Sequence, residues 1–94
     1  MITLESEFTQ KGWVLKLVRR AGFVALYARF KRSNPSNVHY EVVKIREGKP
    51  YQIAGIDFPA KEQYPKSEAW GAYGWTYLDE EKAMEKFRAL ESAK

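Results

Sequence analysis

A single helical pattern, at the C-terminal end, is the feature that most limits what this chain can fold into. Asp79 is a favourable N-cap, and two glutamates follow it in the first turn, where the helix dipole stabilises negative charge. The next residues are good helix formers without a breaker, and Ala83, Phe87 and Leu90 recur at the spacing of one helix face. The pattern predicts one amphipathic helix over residues 79–91, whose apolar stripe needs a partner surface.

The segments before this helix are rich in β-branched and aromatic residues, which favours strands. Strands are predicted at Trp13–Arg20, Phe23–Lys31, Val38–Arg46 and Tyr51–Ala54. In the second of these, alternation places on one face Val24, Leu26, Ala28 and Phe30, and on the other face Phe23, Ala25, Tyr27, Arg29 and Lys31. The polar cluster at residues 31–37 contains Pro35 and predicts a turn that closes a hairpin.

The remaining segments show less regular patterns. Residues 1–11 are expected to be a short edge strand or a loose end. Pro59 and Pro65 make ladder pairing between them unfavourable, so residues from about 55 to 78 are predicted to form an ordered loop that crosses the sheet.

These elements predict an α+β fold in one domain, residues 1–94. An antiparallel sheet of about four strands, within about residues 12–58, hides one apolar face under the C-terminal helix. A small barrel capped by the helix is the alternative.

The composition narrows the class of protein. The chain has 94 residues, of which 45% are apolar and 30% charged, as expected for one folded domain. It contains no cysteine, which excludes disulfides and thiolate metal sites and fits a reducing compartment. We expect neither a secretory signal nor a membrane span, and we predict a cytoplasmic protein.

Four aromatic rings lie within the eight residues from Trp70 to Tyr77, interleaved with Gly71 and Gly74. Aromatic rings contribute much of the burial energy of small domains, so the rings are expected mainly in the core. If some are exposed, they would form a groove for a protein partner, because aromatic anchors dominate interface energies. The candidate protein-binding residues are then Tyr64, Trp70, Tyr73 and Trp75.

The formal net charge is +4, and nine of the 16 Lys and Arg residues lie in residues 1–47 with only four of the 12 acids. A solvated sheet face explains this asymmetry without a function. Alternatively, bases and aromatic rings on one face hold phosphates and stack on unpaired bases. The candidate nucleic-acid-binding residues are Lys16, Arg19, Tyr27, Arg29, Lys31, Arg32, Lys44 and Arg46.

Most catalytic constellations are missing from the sequence. His39 is the only histidine, so a histidine-rich metal site is excluded, and it is expected to be structural. Glu80 and Glu81 lie at the predicted N-terminus of the helix, where the helix dipole favours the ionised form of their carboxylates. A general acid needs a protonated carboxyl group, so this position opposes such a role. The Gly71–Gly74 spacing lacks the rest of a phosphate-binding loop. We predict no catalytic, cofactor-binding or metal-binding residues.

One longer pattern resembles a known family. It consists of Tyr40-Glu41-Val42-Val43-Lys44-Ile45, Ile53-Ala54-Gly55, Pro59, Glu62, Tyr64-Pro65, Glu68, Trp70-Gly71 and Gly74-Trp75-Thr76-Tyr77, followed by a helix with Ala83 and Phe87. Over about residues 40–88 the chain is similar to small uncharacterised proteins of phage and prophage genomes. The resemblance implies an accessory protein of viral or mobile-element origin. It implies no activity and no catalytic residue.

Three hypotheses of function follow. The first is a non-enzymatic protein that binds another protein, and the second is a nucleic-acid-binding protein that uses the basic hairpin at residues 16–46. An enzyme that positions a substrate with Lys and Tyr side chains ranks last. The sequence specifies neither the identity of the partner nor the oligomeric state.

Overall fold

The computed structural model describes residues 2–93, except the side chain of Ser67, as a five-stranded sheet, one α-helix and two short two-stranded sheets, which together form what we call the ribbon, residues 46–63. The elements in chain order are β1 (Glu7–Gln10), β2 (Trp13–Ala21), β3 (Val24–Lys31), β4 (Asn34–Lys44), β5 (Arg46–Gly48), β6 (Tyr51–Ile53), β7 (Ile56–Phe58), β8 (Lys61–Gln63), a 3-10 turn (Ser67–Ala69), β9 (Gly74–Tyr77) and α1 (Glu80–Ser92). The predicted α+β class is confirmed, with five strands in the sheet rather than about four.

The sheet has the strand order β1-β2-β3-β4-β9, and all neighbouring strands are antiparallel. The turn between β1 and β2 consists of Lys11 and Gly12, whose φ angles of 52° and 83° are those that a two-residue hairpin turn requires. β1 and β9 form opposite edges of the sheet. The sheet is therefore open and not a closed barrel, and residues 7–10 adopt the edge-strand alternative.

The β3–β4 hairpin has a shorter turn than the polar cluster at residues 31–37 predicted. Only residues 32 and 33 form the turn, and β4 begins at Asn34. The register between β3 and β4 shifts between the pairs Arg29–His39 and Lys31–Asn34. Pro35 lies in this irregular part, where its missing N–H removes no regular ladder bond.

Helix α1 packs on one face of the sheet, which we call the helix face. The side-chain Oδ1 of Asp79 accepts a hydrogen bond from the Glu81 N–H at 2.9 Å, which confirms the predicted N-cap. Leu26 and Val42 from the sheet and Ala83 and Phe87 from the helix are fully buried together. No helix within residues 2–93 is long and apolar enough to cross a membrane.

The opposite side of the sheet, which we call the second face, is also buried. Leu15, Ala25, Tyr27 and Val43 lie at its centre, and side chains outside the central strands pack over them, namely Leu4, Phe8, Tyr64 and Trp70. The predicted alternation of β3 is confirmed, since Leu26 belongs to the helix face and Ala25 and Tyr27 to the second face. The expectation that the sheet hides one face only is wrong, because the chain contains enough apolar groups outside the helix to cover the other.

The ribbon is formed by β5 to β8, which lie between β4 and β9 in the chain. β5 pairs with β8, and β6 pairs with β7, so the chain runs out and back as one interrupted hairpin. The predicted loop over residues 55–78 is wrong, because it contains β7, β8 and β9. Pro59 and Pro65 lie outside these strands, so β8 forms between them. The predicted strand at Tyr51–Ala54 exists as β6, but it pairs with β7 outside the main sheet.

A half-buried ion pair connects the ribbon to the sheet. Both Nη atoms of Arg20 on β2 donate to the carboxylate of Glu62 on β8, at 2.7 and 2.6 Å. The N–H of Leu4 donates to the same carboxylate at 2.9 Å. These donors, Arg20 first, lower the pKa of Glu62 to about 2. The N-terminal segment, residues 2–6, also lies against β8, since the N–H of Glu62 donates to the carbonyl of Ile2 at 2.8 Å.

Candidate binding surfaces

The aromatic segment from Trp70 to Tyr77 is divided between the two faces of the sheet. Trp70 packs on the second face, whereas Tyr77 packs at the margin of the helix core. The Nζ of Lys86 on α1 lies 4.2 Å from the ring centre of Trp75. Tyr73 is 38% exposed, and the guanidinium of Arg46 lies 4.6 Å from its ring centre. The rings therefore do not form one exposed patch.

Of the four candidate protein-binding residues, the structure brings two together. The rings of Tyr64 and Trp70 lie 6.3 Å apart between centroids, and both pack on the second face. Tyr73 lies in the turn before β9, and Trp75 lies in β9 at the register position of Val42, which belongs to the helix face. Neither contributes to the cluster around Tyr64.

The candidate nucleic-acid-binding residues are also separated. Lys16 and Arg19 lie on the helix-face side, where the Nζ of Lys16 is 5.7 Å from the Phe30 ring centre and the guanidinium of Arg19 is 5.7 Å from that of Phe87. Lys31 lies on the second-face side, with its Nζ 4.9 Å from the Trp13 ring centre.

The other members of this set have different roles. Tyr27 is fully buried, so neither face of its ring is open to a base. Arg29 forms an ion pair with Glu41, and Arg46 lies over Tyr73. Arg32 and Lys44 are exposed at opposite ends of β4. The structure does not gather the eight residues on one face.

A cavity of about 410 Å³ opens on the second face, and we call it the Arg29 pocket. Its floor contains Arg29 of β3 and Glu41 of β4, which are diagonal neighbours because Arg29 pairs with His39 and Tyr27 with Glu41. The Nη1 of Arg29 lies 3.0 Å from the Oε2 of Glu41. The side chain of Arg29 is 26% exposed and that of Glu41 only 5%, so the cation is the more accessible of these two charges in the cavity lining.

Tyr64 completes the floor by donating its hydroxyl proton to the Oε1 of Glu41. Burial and the negative charge of Glu41 raise the pKa of Tyr64, which keeps this hydroxyl protonated. The two oxygens of Glu41 therefore each have a partner within the protein, a hydroxyl donor for Oε1 and the Arg29 cation for Oε2. A buried carboxylate needs such compensation.

Aromatic side chains line the two sides of the pocket. On one side the ring centre of Trp13 lies 4.3 Å from the guanidinium carbon of Arg29. On the other side the indole N–H of Trp70 donates to the Oγ1 of Thr76 at 3.0 Å. Lys11, in the exposed β1–β2 turn, also lines the cavity. The pocket combines flat apolar sides with cationic groups.

Two buried polar atoms beside Trp13 have no hydrogen-bond partner among residues 2–93. They are the Nε of Arg29 and the Nδ1 of His39. The His39 ring lies edge-on to Trp13, with the ring centres 5.7 Å apart. Buried polar groups without partners are uncommon and often occur at functional sites.

The second candidate surface is the distal hairpin, which we define as residues 51–58. The register places its four apolar side chains on one face, and they are exposed by 49% (Tyr51), 59% (Ile53), 60% (Ile56) and 37% (Phe58). The rings of Tyr51 and Phe58 stack, with centroids 4.9 Å apart and planes 10° apart. The opposite face has Gln52, which donates to the carboxylate of Asp57 at 2.9 Å.

Sequence reasoning missed the distal hairpin as a binding surface. The signal was present, because Tyr51 and Ile53 alternate with a polar residue, Ile56 and Phe58 do the same, and Ala54-Gly55 separates them. Two alternating runs joined by two residues ending in glycine are typical of a hairpin with one apolar face. In the pocket, the sequence singled out Arg29, Tyr64 and Trp70 but not Trp13, Glu41 or Thr76.

Comparison with known proteins finds no match to a family model, to a curated protein or to a solved structure. Among residues 2–93 there is also no group of three or more His, Asp or Glu side chains placed to hold a metal ion.

Proposed function

We propose that the protein is a non-enzymatic binding protein that docks on another protein through the apolar face of the distal hairpin. The observation that supports this most directly is the exposure of all four apolar side chains on one face of a two-stranded element. Contiguous apolar patches of this kind are typical of interaction sites. Burying one such side chain is worth about 1.5–3 kcal/mol, so four of them provide a large part of a binding energy.

The architecture of the hairpin favours a protein as the occupant. β6 and β7 pair with each other and with no strand of the main sheet, so their outer edges offer backbone groups for pairing with an added strand. A two-stranded hairpin is also only marginally stable by itself. A partner that covers the apolar face would order it further.

The charges around the hairpin are balanced. Residues 46–63 contain three cations, Arg46, Lys49 and Lys61, and three anions, Glu47, Asp57 and Glu62. We therefore propose a partner surface that is apolar, and whose affinity comes from contact with the apolar face of the hairpin rather than from long-range charge attraction.

Site-specific photo-crosslinking tests this proposal. The crosslinking residue p-benzoylphenylalanine replaces Ile53 on the apolar face or, as the matched control, Gln52 on the opposite face. We expect the crosslinking residue at position 53 to yield a discrete crosslinked protein, and we expect this product to disappear when Ile56→Lys is introduced into the same chain. The crosslinking residue at position 52 should yield no such product. The purified partner should then bind the Ile56→Lys variant at least tenfold more weakly and the Gln52→Lys variant with unchanged affinity. Equal products from both positions, or no discrete product, would contradict the proposal.

Nucleic-acid binding through the basic residues stays a prediction with less support, since Tyr27 is buried and Arg29 is paired with Glu41. It predicts a gel shift with single-stranded or duplex oligonucleotides that weakens steeply with salt, because phosphate binding releases counterions. The absence of a shift at low salt would end this alternative.

The resemblance over residues 40–88 extends the proposal to an accessory protein of phage or prophage origin that acts in the cytoplasm. A partner encoded by the same mobile element or by its host, recovered by the crosslinking experiment, would support this origin. A partner outside both groups would oppose it.

A further inference from the structure

We propose that the Arg29 pocket binds a carboxylate attached to a flat apolar group, either as a free aryl-substituted carboxylic acid or as the C-terminal residue of a peptide. The pocket is separate from the distal hairpin, so this inference does not rest on the proposed docking function. It rests on the volume of the cavity, on the polar groups that remain available in it and on the two tryptophans beside it.

The volume fits a small group and not a macromolecular surface. A cavity of about 410 Å³ lies in the range of small-molecule sites. Trp13 and Trp70 line it, and both indole rings are partly buried. Flat apolar walls of this kind favour an aromatic or branched apolar group.

An inventory of donors and acceptors indicates that the polar part of the ligand accepts hydrogen bonds. Both oxygens of Glu41 are already engaged, since Oε2 faces the Arg29 guanidinium in an ion pair and Oε1 accepts from the Tyr64 hydroxyl. The Oγ1 of Thr76 accepts from Trp70, which leaves the hydroxyl proton of Thr76 as a donor. The exposed part of the Arg29 guanidinium offers N–H groups only, as a guanidinium always does. Gln10 also lines the cavity and offers both a donor and an acceptor, so donors predominate among the groups that a ligand meets.

The local charge indicates a single negative charge on the ligand. Arg29 and Lys11 line the cavity as cations and Glu41 as an anion, which leaves one positive charge in excess. A carboxylate supplies one negative charge and a planar pair of acceptors that matches a guanidinium. A phosphate dianion would exceed this charge. Glu41 has a second role in this arrangement, because it fixes the orientation of the Arg29 side chain.

Two-dimensional NMR with the full chain tests the proposal by following the indole N–H signals of Trp13 and Trp70. The probes are indole-3-acetate with indole-3-acetamide as its neutral control, and acetyl-Gly-Gly-Phe with a free or an amidated C-terminus. We expect at least one acid to shift both indole signals with saturation, and its amide to bind at least tenfold more weakly. If both acids bind, the carboxylate is the feature that the pocket recognises in each. If only one binds, the ligand is either a free aryl-substituted acid or a peptide C-terminus, according to which probe shifts the signals.

Two substitutions separate recognition from folding. Lys11→Gln changes an exposed turn residue and should weaken binding of the acid severalfold without changing the fold. Arg29→Gln should abolish binding, and circular dichroism shows whether this variant is folded; if it is not, Lys11→Gln alone decides. Equal binding of acid and amide, no shift at millimolar probe, displacement of the acid by equimolar inorganic phosphate, or unchanged binding to Lys11→Gln would each overturn the proposal. None of these outcomes depends on the crosslinking result at the distal hairpin.

Discussion

The indole ring of Trp70 packs directly against the backbone of Gly74, so closely that a Cβ added to this glycine would lie 2.5 Å from Cζ3 and 2.6 Å from Cε3 of the ring. The N–H of Gly71 also donates to the carbonyl of Gly74 at 2.8 Å, which closes the turn between the two residues. Gly74 therefore sets the position of the indole beside the Arg29 pocket.

The Gly74→Ala substitution should displace the Trp70 ring and break its hydrogen bond to Thr76. We expect a loss of about 1–3 kcal/mol in the free energy of unfolding, the usual cost of a clash in a packed site. Urea denaturation measures the loss, and a double-mutant cycle with Trp70→Ala provides the control. In the Trp70→Ala background the methyl group that Gly74→Ala adds no longer clashes with an indole ring. The double variant should therefore lose much less free energy of unfolding than the sum of the two single variants. Additive losses would show that the contact is unimportant.

Tyr64→Phe should destabilise the protein by about 1–3 kcal/mol, because one oxygen of the buried Glu41 then has no donor. The aromatic ring remains, so the packing against Trp70 is retained. Tyr73→Phe, in the exposed turn, is the matched control and should change the free energy of unfolding by less than about 0.5 kcal/mol. Chemical denaturation of both variants at neutral pH makes the comparison, and equal effects would contradict the role of the Tyr64 hydroxyl.

Acid should weaken the attachment of the ribbon through Glu62. Its pKa is about 2 in the folded protein against an ordinary value of 4.5, because Arg20 and the Leu4 N–H donate to the carboxylate. A lowered pKa contributes stability that is complete above pH 4.5 and is lost as the pH falls toward 2. The free energies of unfolding of the wild type and of Glu62→Gln, measured by denaturation, should therefore approach each other as the pH falls across this window. A difference that stays constant with pH would refute the linkage.

Ala54→Gly should stabilise the distal hairpin. Ala54 has a φ of 51°, a left-handed conformation that costs a non-glycine residue about 1–2 kcal/mol. Glycine relieves most of this cost, so amide hydrogen exchange in β6 and β7 should slow severalfold. The control is Ala72→Gly, at an exposed position where φ is not positive, and it should not slow exchange. Faster exchange in the Ala54→Gly hairpin would contradict the assignment of strain.

The predictable parts of the fold were those that neighbouring residues determine. Asp79 and the stripe of Phe87 are local signals, and they predicted the helix to within one residue at each end. The alternation of β3 correctly predicted which side chains share a face. The ribbon was not predicted because a proline is equally compatible with the end of a strand and with a loop. Pro59 and Pro65 lie at strand ends, but the sequence alone does not distinguish this case from a loop that contains both.

The Arg29 pocket depends on registers between distant strands, which no local pattern contains. In the sequence, Glu41 is a single acidic residue within an apolar strand, and no neighbouring residue indicates that it is buried. Its role follows only when the pairing of β3 with β4 brings it diagonal to Arg29 and the ribbon brings Tyr64 over it. The burial of Tyr27 similarly depends on the N-terminal segment, to whose Glu5 carbonyl it donates at 2.8 Å.

The attachment of this N-terminal segment has a consequence for the order of folding. Leu4 meets Glu62 across 58 positions of the chain, and closing a loop of that length costs about 3.5 kcal/mol of entropy, plus a constant. We expect the segment that makes this contact to dock after the rate-limiting barrier. Leu4→Ala removes part of its side-chain packing on the second face, so it should accelerate unfolding in stopped-flow experiments and leave the refolding rate nearly unchanged. This segment, although it precedes the central strands in the chain, would then reach its native position after they have paired.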